Sequence, residues 1–383
     1  MNGAASHDPV ALAKALLACP SVTPARGAVF DVAEAALVPL GFAVDRFTAG
    51  ETPDGPVENL LALRDGDGPR LAFAGHLDVV PPGEGWASDP FVPEIRGGLL
   101  HGRGAVDMKG AVAAFIAAIA RAPRGRALML LLTGDEEGPA VHGTRALIER
   151  MAARGLRPDL CLVGEPTSAH RLGDTIKIGR RGSVNIWIDV PGRQGHVAYP
   201  KLADNPIPRL VAALAEVDAI ALDRGNEWFE PSNIEVTDLA VGNPASNVIP
   251  ARAAARLSIR FNDAQNGEAL VARIGEIVRR HAPQAEVKGR VSGEAFLTRP
   301  GPLSALVSEA VAACTGLTPE LSTTGGTSDA RFLSLLCPTV EFGLVNATMH
   351  QLDEAVALAD LELLTDIYAE VIARAARFAP GAS

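Results

Sequence analysis

Five groups of polar residues in this chain offer the ligands of a divalent-metal site: His76 with Asp78, Asp107, Glu136 with Glu137, Glu165, and His350. They stand in the motifs Gly75-His76-Leu77-Asp78, Gly104-Ala105-Val106-Asp107-Met108-Lys109-Gly110, Asp135-Glu136-Glu137-Gly138, Gly164-Glu165-Pro166-Thr167 and Met349-His350-Gln351. Imidazole and carboxylate ligands without a thiolate suit zinc, and less tightly cobalt or manganese. Two such ions about 3.5–4 Å apart need a bridging carboxylate and hold a water whose pKa falls toward neutrality, which equips a site for hydrolysis. Asp107 is the candidate bridge, because the Gly102-Arg103-Gly104 turn ahead of it lets backbone approach closely. Asp78 lies two residues past His76 on an extended segment, so it is expected to accept a hydrogen bond from the second ring nitrogen and fix the imidazole's tautomer. Glu136 and Glu137 cannot both point the same way if extended. One can ligate a metal while the other stays free to take a proton from water and return it to a leaving amine.

Placement makes these residues a set. His76 ends the apolar run 71–74, Glu136 follows the run 127–132, and Glu165 follows 160–163. In open α/β sheets ligands bind beyond the carboxyl ends of the strands, so these strand ends should meet in one cleft. From Pro9 to about Arg180 apolar runs alternate with helical stretches, as expected of βα units around a largely parallel sheet. Asp8 followed by Pro9 reads as a helix start, and the apolar stretch 111–120 is too short to span a membrane and reads as a buried helix. Residues 301–383 return to that style, with a helix at 303–315, a strand at 339–344 and a closing helix at 361–376. Between them the pattern becomes strand 183–190, helix 206–220, strand 233–241, strand 254–261, helix 267–281, strand 285–292. This βαββαβ order predicts a two-layer sandwich inserted into a larger domain. The expected division is 1–180 with 294–383 as a discontinuous α/β catalytic domain, and 181–293 as the insert. The insert's free sheet edge invites pairing with another subunit.

A chain of 383 residues with 48% hydrophobic content supports two ordered cores. The net charge of -10, with no long basic block, argues against nucleic-acid and anionic-membrane partners and for a small-molecule partner. No Lys or Arg precedes Lys14 and no bounded apolar core with a cleavage-like site follows, so a cytoplasmic protein is expected. Cys19, Cys161, Cys314 and Cys337 form no C-x-x-C pair and are expected to be buried thiols. His7, His101, His142, His170 and His281 have no companion ligand and are expected at the surface or in loops. His196 differs, because Gly195-His196-Val197-Ala198-Tyr199-Pro200 is a Gly- and Pro-bounded loop that could swing over a cleft.

With these motifs in view, the chain resembles the dinuclear zinc aminoacylase and carboxypeptidase family over nearly its whole length. The general resemblance rests on Gly75-His76-Leu77-Asp78-Val79-Val80-Pro81, Trp86 with Pro90-Phe91, the stretch from Gly102 to Gly110, and Asp135-Glu136-Glu137-Gly138. Lys177-Ile178-Gly179-Arg180-Arg181-Gly182-Ser183, the His196 loop, Gly325-Gly326-Thr327-Ser328-Asp329-Ala330-Arg331-Phe332 and Asn346-Ala347-Thr348-Met349-His350 narrow it to the family's desuccinylases. The resemblance implies a zinc-exopeptidase-like catalytic domain, an inserted dimerisation or lid domain, a homodimer formed through that insert, and two Zn2+ per subunit that Co2+ or Mn2+ can replace. It implies His76 and Glu165 on one metal, Glu137 and His350 on the other, Asp107 between them, Asp78 behind His76, and Glu136 as general acid and base. It also implies that His196 reaches the other subunit's active site to stabilise an oxyanion, a contact commonly worth on the order of 10²–10³ in rate.

By the same matching, Arg180, Ser183, Tyr199, Asn247, Arg260, Gly326, Thr327, Arg331 and Asn346 contact substrate. The substrate implied is N-succinyl-LL-2,6-diaminopimelate, hydrolysed to succinate and LL-2,6-diaminopimelate for lysine and cell-wall synthesis. Its carboxylates suit the guanidinium forks of Arg180, Arg260 and Arg331. The alternative is a related N-acyl amino acid amidohydrolase, acetylornithine deacetylase-like or dipeptidase-like, with the same metal core. Ala330 departs from the desuccinylase pattern, which often has Gly there.

Overall fold

The computed structural model describes residues 8–378, so His7 and the rest of the first seven residues lie outside the described residues. The chain divides into two compact units. One comprises the chain through Ile178, Thr298–Ser322 and the chain from Ser328 onward; the other comprises Gly179–Leu297 and Thr323–Thr327.

The first unit is built on an eight-stranded mixed sheet. Its order is Ala43–Ala49, Val57–Arg64, Arg126–Thr133, Asp67–His76, Leu160–Val163, Thr339–Glu341, Thr175–Lys177, Glu320–Ser322. The middle four strands, from Arg126–Thr133 to Thr339–Glu341, run parallel, while the first two add an antiparallel flank. Three of the parallel strands carry continuous buried apolar runs, 127–132, 71–74 and 160–163, as expected where both faces of a sheet are covered. Helix Pro9–Leu17 starts where Asp8 accepts hydrogen bonds from the N–H groups of Val10 and Ala11 at 2.9 and 3.1 Å. Helix Lys109–Arg121 is buried on every face from Lys109 to Ile119 and packs against Pro9–Leu17 and Leu358–Ala375. A helix apolar all round can only be a core helix. Under the sheet, Phe73 stacks on Phe115 with centroids 4.1 Å apart, Tyr368 meets both edge-on, and its hydroxyl donates to the carbonyl of Phe342 at 2.7 Å.

The strand expected over 339–344 is shorter, Thr339–Glu341. Gly343 passes so close to the carbonyls of Gly164 and Glu165 that a Cβ there would sit 2.6 and 2.5 Å from them, which leaves no room for the pleat to continue.

The second unit has a four-stranded antiparallel sheet ordered Asn233–Ala240, Arg252–Phe261, Gly182–Pro191, Glu286–Gly293, with helices Pro206–Asp218 and Gly267–His281 packed on it. Alternate residues of the inner strands, including Val184, Ile186, Leu257 and Ile259, join Leu210 and Ile274 of the helices in one core. Asn233–Ala240 lies at an edge and is largely exposed. Thr323–Thr327 groups with this unit: the Thr323 hydroxyl donates to the Trp228 carbonyl, and Arg180 Nη1 donates to the Gly326 carbonyl at 3.0 Å. No helix among the described residues is long and apolar enough to cross a membrane.

Candidate metal centre

His76 closes its strand with the ring almost fully buried. Its Nδ1 lies 2.8 Å from the main-chain carbonyl of Asp78, an acceptor only, so Nδ1 carries the hydrogen and Nε2 faces the site. This differs from the expected partner: the Asp78 carboxylate is 3.6 Å from Nδ1 and instead accepts the N–H groups of Glu136 at 3.2 Å and Glu137 at 2.9 Å. The turn after the strand brings the carbonyl, not the side chain, round to the imidazole. Asp78 therefore fixes the backbone of the Glu136-Glu137 pair, and the tautomer is set by its own peptide oxygen.

Asp107 stands between two imidazoles. Its Oδ1 is 3.1 Å from His76 Nε2 and its Oδ2 is 3.1 Å from His350 Nε2. Glu165 Oε1 lies 4.0 Å from His76 Nε2, and Glu137 Oε1 lies 2.8 Å from His350 Nε2. Two ligand trios result, His76 with Asp107 and Glu165, and Asp107 with Glu137 and His350; within each, the donor atoms all lie within 4.8 Å of one another. The two trios share one carboxylate. Glycines admit this geometry: a Cβ on Gly75 or Gly164, the residues ahead of His76 and Glu165, would sit 2.7 or 2.6 Å from the Met108 Cε that follows Asp107.

The site's charges are strongly perturbed. Burial opposes ionisation of Asp107, yet the bonds from His350 and His76 hold its carboxyl below the ordinary range. Burial likewise opposes charge on His76, but the Asp107 bond and the nearby Asp78 raise it well above an ordinary imidazole. His350 is pushed up to about 10 by Asp107 and Glu137. Burial, then Glu165, drives Glu136 well above the usual carboxylate range, and burial takes Asp78 to about 6 despite His76 and the two amides. In this arrangement the imidazoles hold protons where cations would otherwise supply positive charge. A thiolate-free set of histidines and carboxylates around one shared Asp fits two borderline divalent ions.

Residues 72–374 match the family described as Peptidase family M20/M25/M40. The chain belongs to that family. Among relatives of this M20 chain is a "Succinyl-diaminopimelate desuccinylase" of Sphingopyxis alaskensis, 68% identical over 369 residues, covering 96% of this chain and 98% of the relative. A protein of the same name from Rhizorhabdus wittichii is 65% identical, covering 95% and 97%. Solved structures share the fold at lower identity: a Staphylococcus aureus tripeptidase (19% identical, TM-score 0.78, covering 97% of this chain and 99% of that one). Another is a Bacillus subtilis protein titled a dinuclear metal binding peptidase from M20 family (16% identical, TM-score 0.70, covering 95% and 96%).

The remaining residues named from sequence fall in both units. In the second, Arg260 Nη1 donates to the Ser183 hydroxyl, and burial, then the nearby Arg181, lowers the Arg260 pKa. Arg181 belongs to the same Lys177-to-Ser183 motif as Arg180 and Ser183, and its charge bears on Arg260. His196 is exposed, on the short strand Gly195–His196 that pairs with Val248–Ile249. Its Nδ1 accepts the Ala198 N–H at 3.1 Å, so a neutral ring carries its hydrogen on Nε2. Tyr199 is 64% exposed with its ring 5.8 Å from His196, Asn247 supplies the carbonyl bonded by Val197 N–H at 3.0 Å, and Gly326 and Thr327 lie in the segment joined to Arg180. Arg331 and Asn346 belong to the first unit. Arg331 stacks over Phe332 at 4.3 Å and lies 3.6 Å from Asp329, so its fork is partly engaged within the protein. Among the cysteines, three are buried and Cys314 is half-buried.

Proposed function

We infer that this chain is a metal-dependent amidohydrolase that cleaves the succinyl amide of N-succinyl-LL-2,6-diaminopimelate, releasing succinate and LL-2,6-diaminopimelate. The observation that carries the hydrolytic reading is Asp107 presenting one oxygen to each of two histidines, at 3.1 Å on both sides. The substrate follows from the shared name of relatives aligned over nearly the full chain. In this reading His76 and Glu165 would hold one Zn2+ and Glu137 and His350 the other, with Asp107 shared by both ligand sets; Co2+ or Mn2+ could take their places. Bound there, the cations polarise the amide carbonyl and acidify water.

The protein's residues do the rest. Glu136, whose carboxyl is raised well above the ordinary range, takes a proton from the attacking water and delivers it to the departing amine nitrogen as the C–N bond breaks. His196, with hydrogen on Nε2, donates to the oxyanion of the partner subunit's reaction, in a homodimer formed through the second unit's exposed edge strand. Arg180 receives substrate carboxylates together with Arg260, which is crowded by Arg181 and set against Ser183, and Tyr199, Asn247, Gly326, Thr327, Arg331 and Asn346 are the further substrate contacts. The reading takes 1–180 with 294–383 as the catalytic domain, 181–293 as the dimerisation domain, and the cytoplasm as the location.

The test is kcat/KM for N-succinyl-LL-2,6-diaminopimelate, N-acetylornithine and simple dipeptides on one preparation of known metal content. The succinyl substrate should be preferred by orders of magnitude. Preference for either of the others would leave the metal core intact and overturn the substrate.

A further inference from the structure

Glu354 is a carboxylate with 0% exposure, four residues beyond His350. All of its acceptor capacity is directed at one turn. Oε1 accepts the backbone N–H groups of Val106 at 2.8 Å and Asp107 at 3.1 Å, and Oε2 accepts Gly104 N–H at 3.0 Å and Arg103 Nη1 at 2.8 Å. Its main-chain carbonyl accepts a fifth bond, from Gly102 N–H at 3.0 Å. These donors span the turn that presents Asp107. On the other side, Glu354 ends the loop that carries His350. The Thr348 hydroxyl closes that loop by donating to the Ala355 carbonyl at 2.9 Å and accepting the Ala355 N–H at 3.1 Å, and His350 sits within it at φ 61°.

We propose that Glu354 is a positioning residue: it ties the Asp107 turn to the His350 loop and thereby sets how tightly the metal between Asp107 and His350 is held. This rests on the dinuclear reading given above. The reasoning is a count of donors. Four hydrogens point at the side chain, and only an ionised carboxylate offers acceptors at both of its atoms; an amide of the same shape keeps one oxygen and turns an NH2 against two donors. Arg103 supplies the matching charge in the same buried pocket, with its guanidinium 5.0 Å from the Trp86 ring and Nη2 bonded to the Pro82 carbonyl at 3.1 Å. Without this clamp, a Gly-containing turn with free amides would let the Asp107 carboxylate wander relative to His350.

The experiment is stepwise Zn2+ binding to metal-free protein, read by competition with a chromophoric chelator and repeated with Co2+ by visible absorption. Glu354→Gln should weaken the second binding step about 10–100-fold, more than the first, and change the Co2+ spectrum. A merely structural role would leave the ratio of the two steps and the spectrum as in the wild type, and that result, or equal weakening of both steps, overturns the proposal. A second measurement needs no variant: in metal-free wild type the amides of Gly104, Val106 and Asp107 should remain protected from hydrogen exchange. Fast exchange of these amides overturns the proposal even if Glu354→Gln does not fold. Wild-type protein that binds no second metal would instead overturn the dinuclear reading itself.

Discussion

Removing the metals should make the protein lose stability as pH rises, the reverse of its behaviour when loaded. The imidazole of His350 has an ordinary value of 6.5 and is pushed up to about 10, and His76 is raised in the same direction. A group whose pKa is higher folded than unfolded contributes stability that is complete below its unfolded value and is lost as pH rises through the folded one. For His350 that window runs from 6.5 to about 10. One fully retained proton is worth about 1.4 kcal/mol per pH unit. The His350 side chain is 43% exposed, so solvent screening must reduce its share. A slope of roughly 0.5–1 kcal/mol per pH unit remains, or about 1–4 °C in Tm. Metal binding runs the other way, because each displaced proton makes affinity rise about tenfold per pH unit. Calorimetry from pH 6.5 to 9, with chelator and with Zn2+, should show Tm curves that diverge, and His350→Ala should flatten the chelated one. Parallel curves, or a metal-free Tm that climbs with pH and is unaffected by His350→Ala, would refute the reasoning.

Three other outcomes follow from the same geometry. Glu136→Gln should lower kcat by roughly 10²–10⁴ while metal content stays at the wild-type level, and unchanged turnover would remove Glu136 from its proton-transfer role. Subunits carrying His196→Ala mixed with subunits carrying Glu136→Ala should regain activity that neither has alone; hybrid dimers without activity would show that His196 does not act across subunits. Gly164→Ala would put a Cβ 2.6 Å from both Met108 Cε and Phe73 Cζ, against a ring already stacked on Phe115. Overpacking of that kind costs about 1–3 kcal/mol, so Tm should fall by several degrees and metal affinity with it; a wild-type Tm would contradict the packing argument.

Much of the site is legible in sequence because strand ends write it there. His76, Glu136 and Glu165 each follow a buried apolar run, and the structure sets those runs side by side in a parallel array. His350 follows no such run. It is held by a loop closure onto Ala355, and only its Met-His-Gln setting and the family resemblance pointed to it. Alternation along an extended segment pointed to the Asp78 carboxylate as the imidazole's partner, but the strand ends at His76 and the turn that follows supplies the Asp78 peptide oxygen instead. Glu354 was invisible for a different reason: its partners are 247 to 251 residues away, and nothing local distinguishes a clamping carboxylate from a solvated one. The βαββαβ order of the second unit was readable from periodicity. The attachment of Thr323–Thr327 to it was not, since that depends on Arg180 and Trp228 reaching a distant segment.

The most direct measurement is anomalous diffraction from metal-loaded crystals, collected on either side of the zinc edge. Two peaks about 3.5–4 Å apart are expected, one beside His76 and Glu165 and one beside His350 and Glu137, with an oxygen of Asp107 on each. A single peak, or two peaks that do not share Asp107, would contradict it.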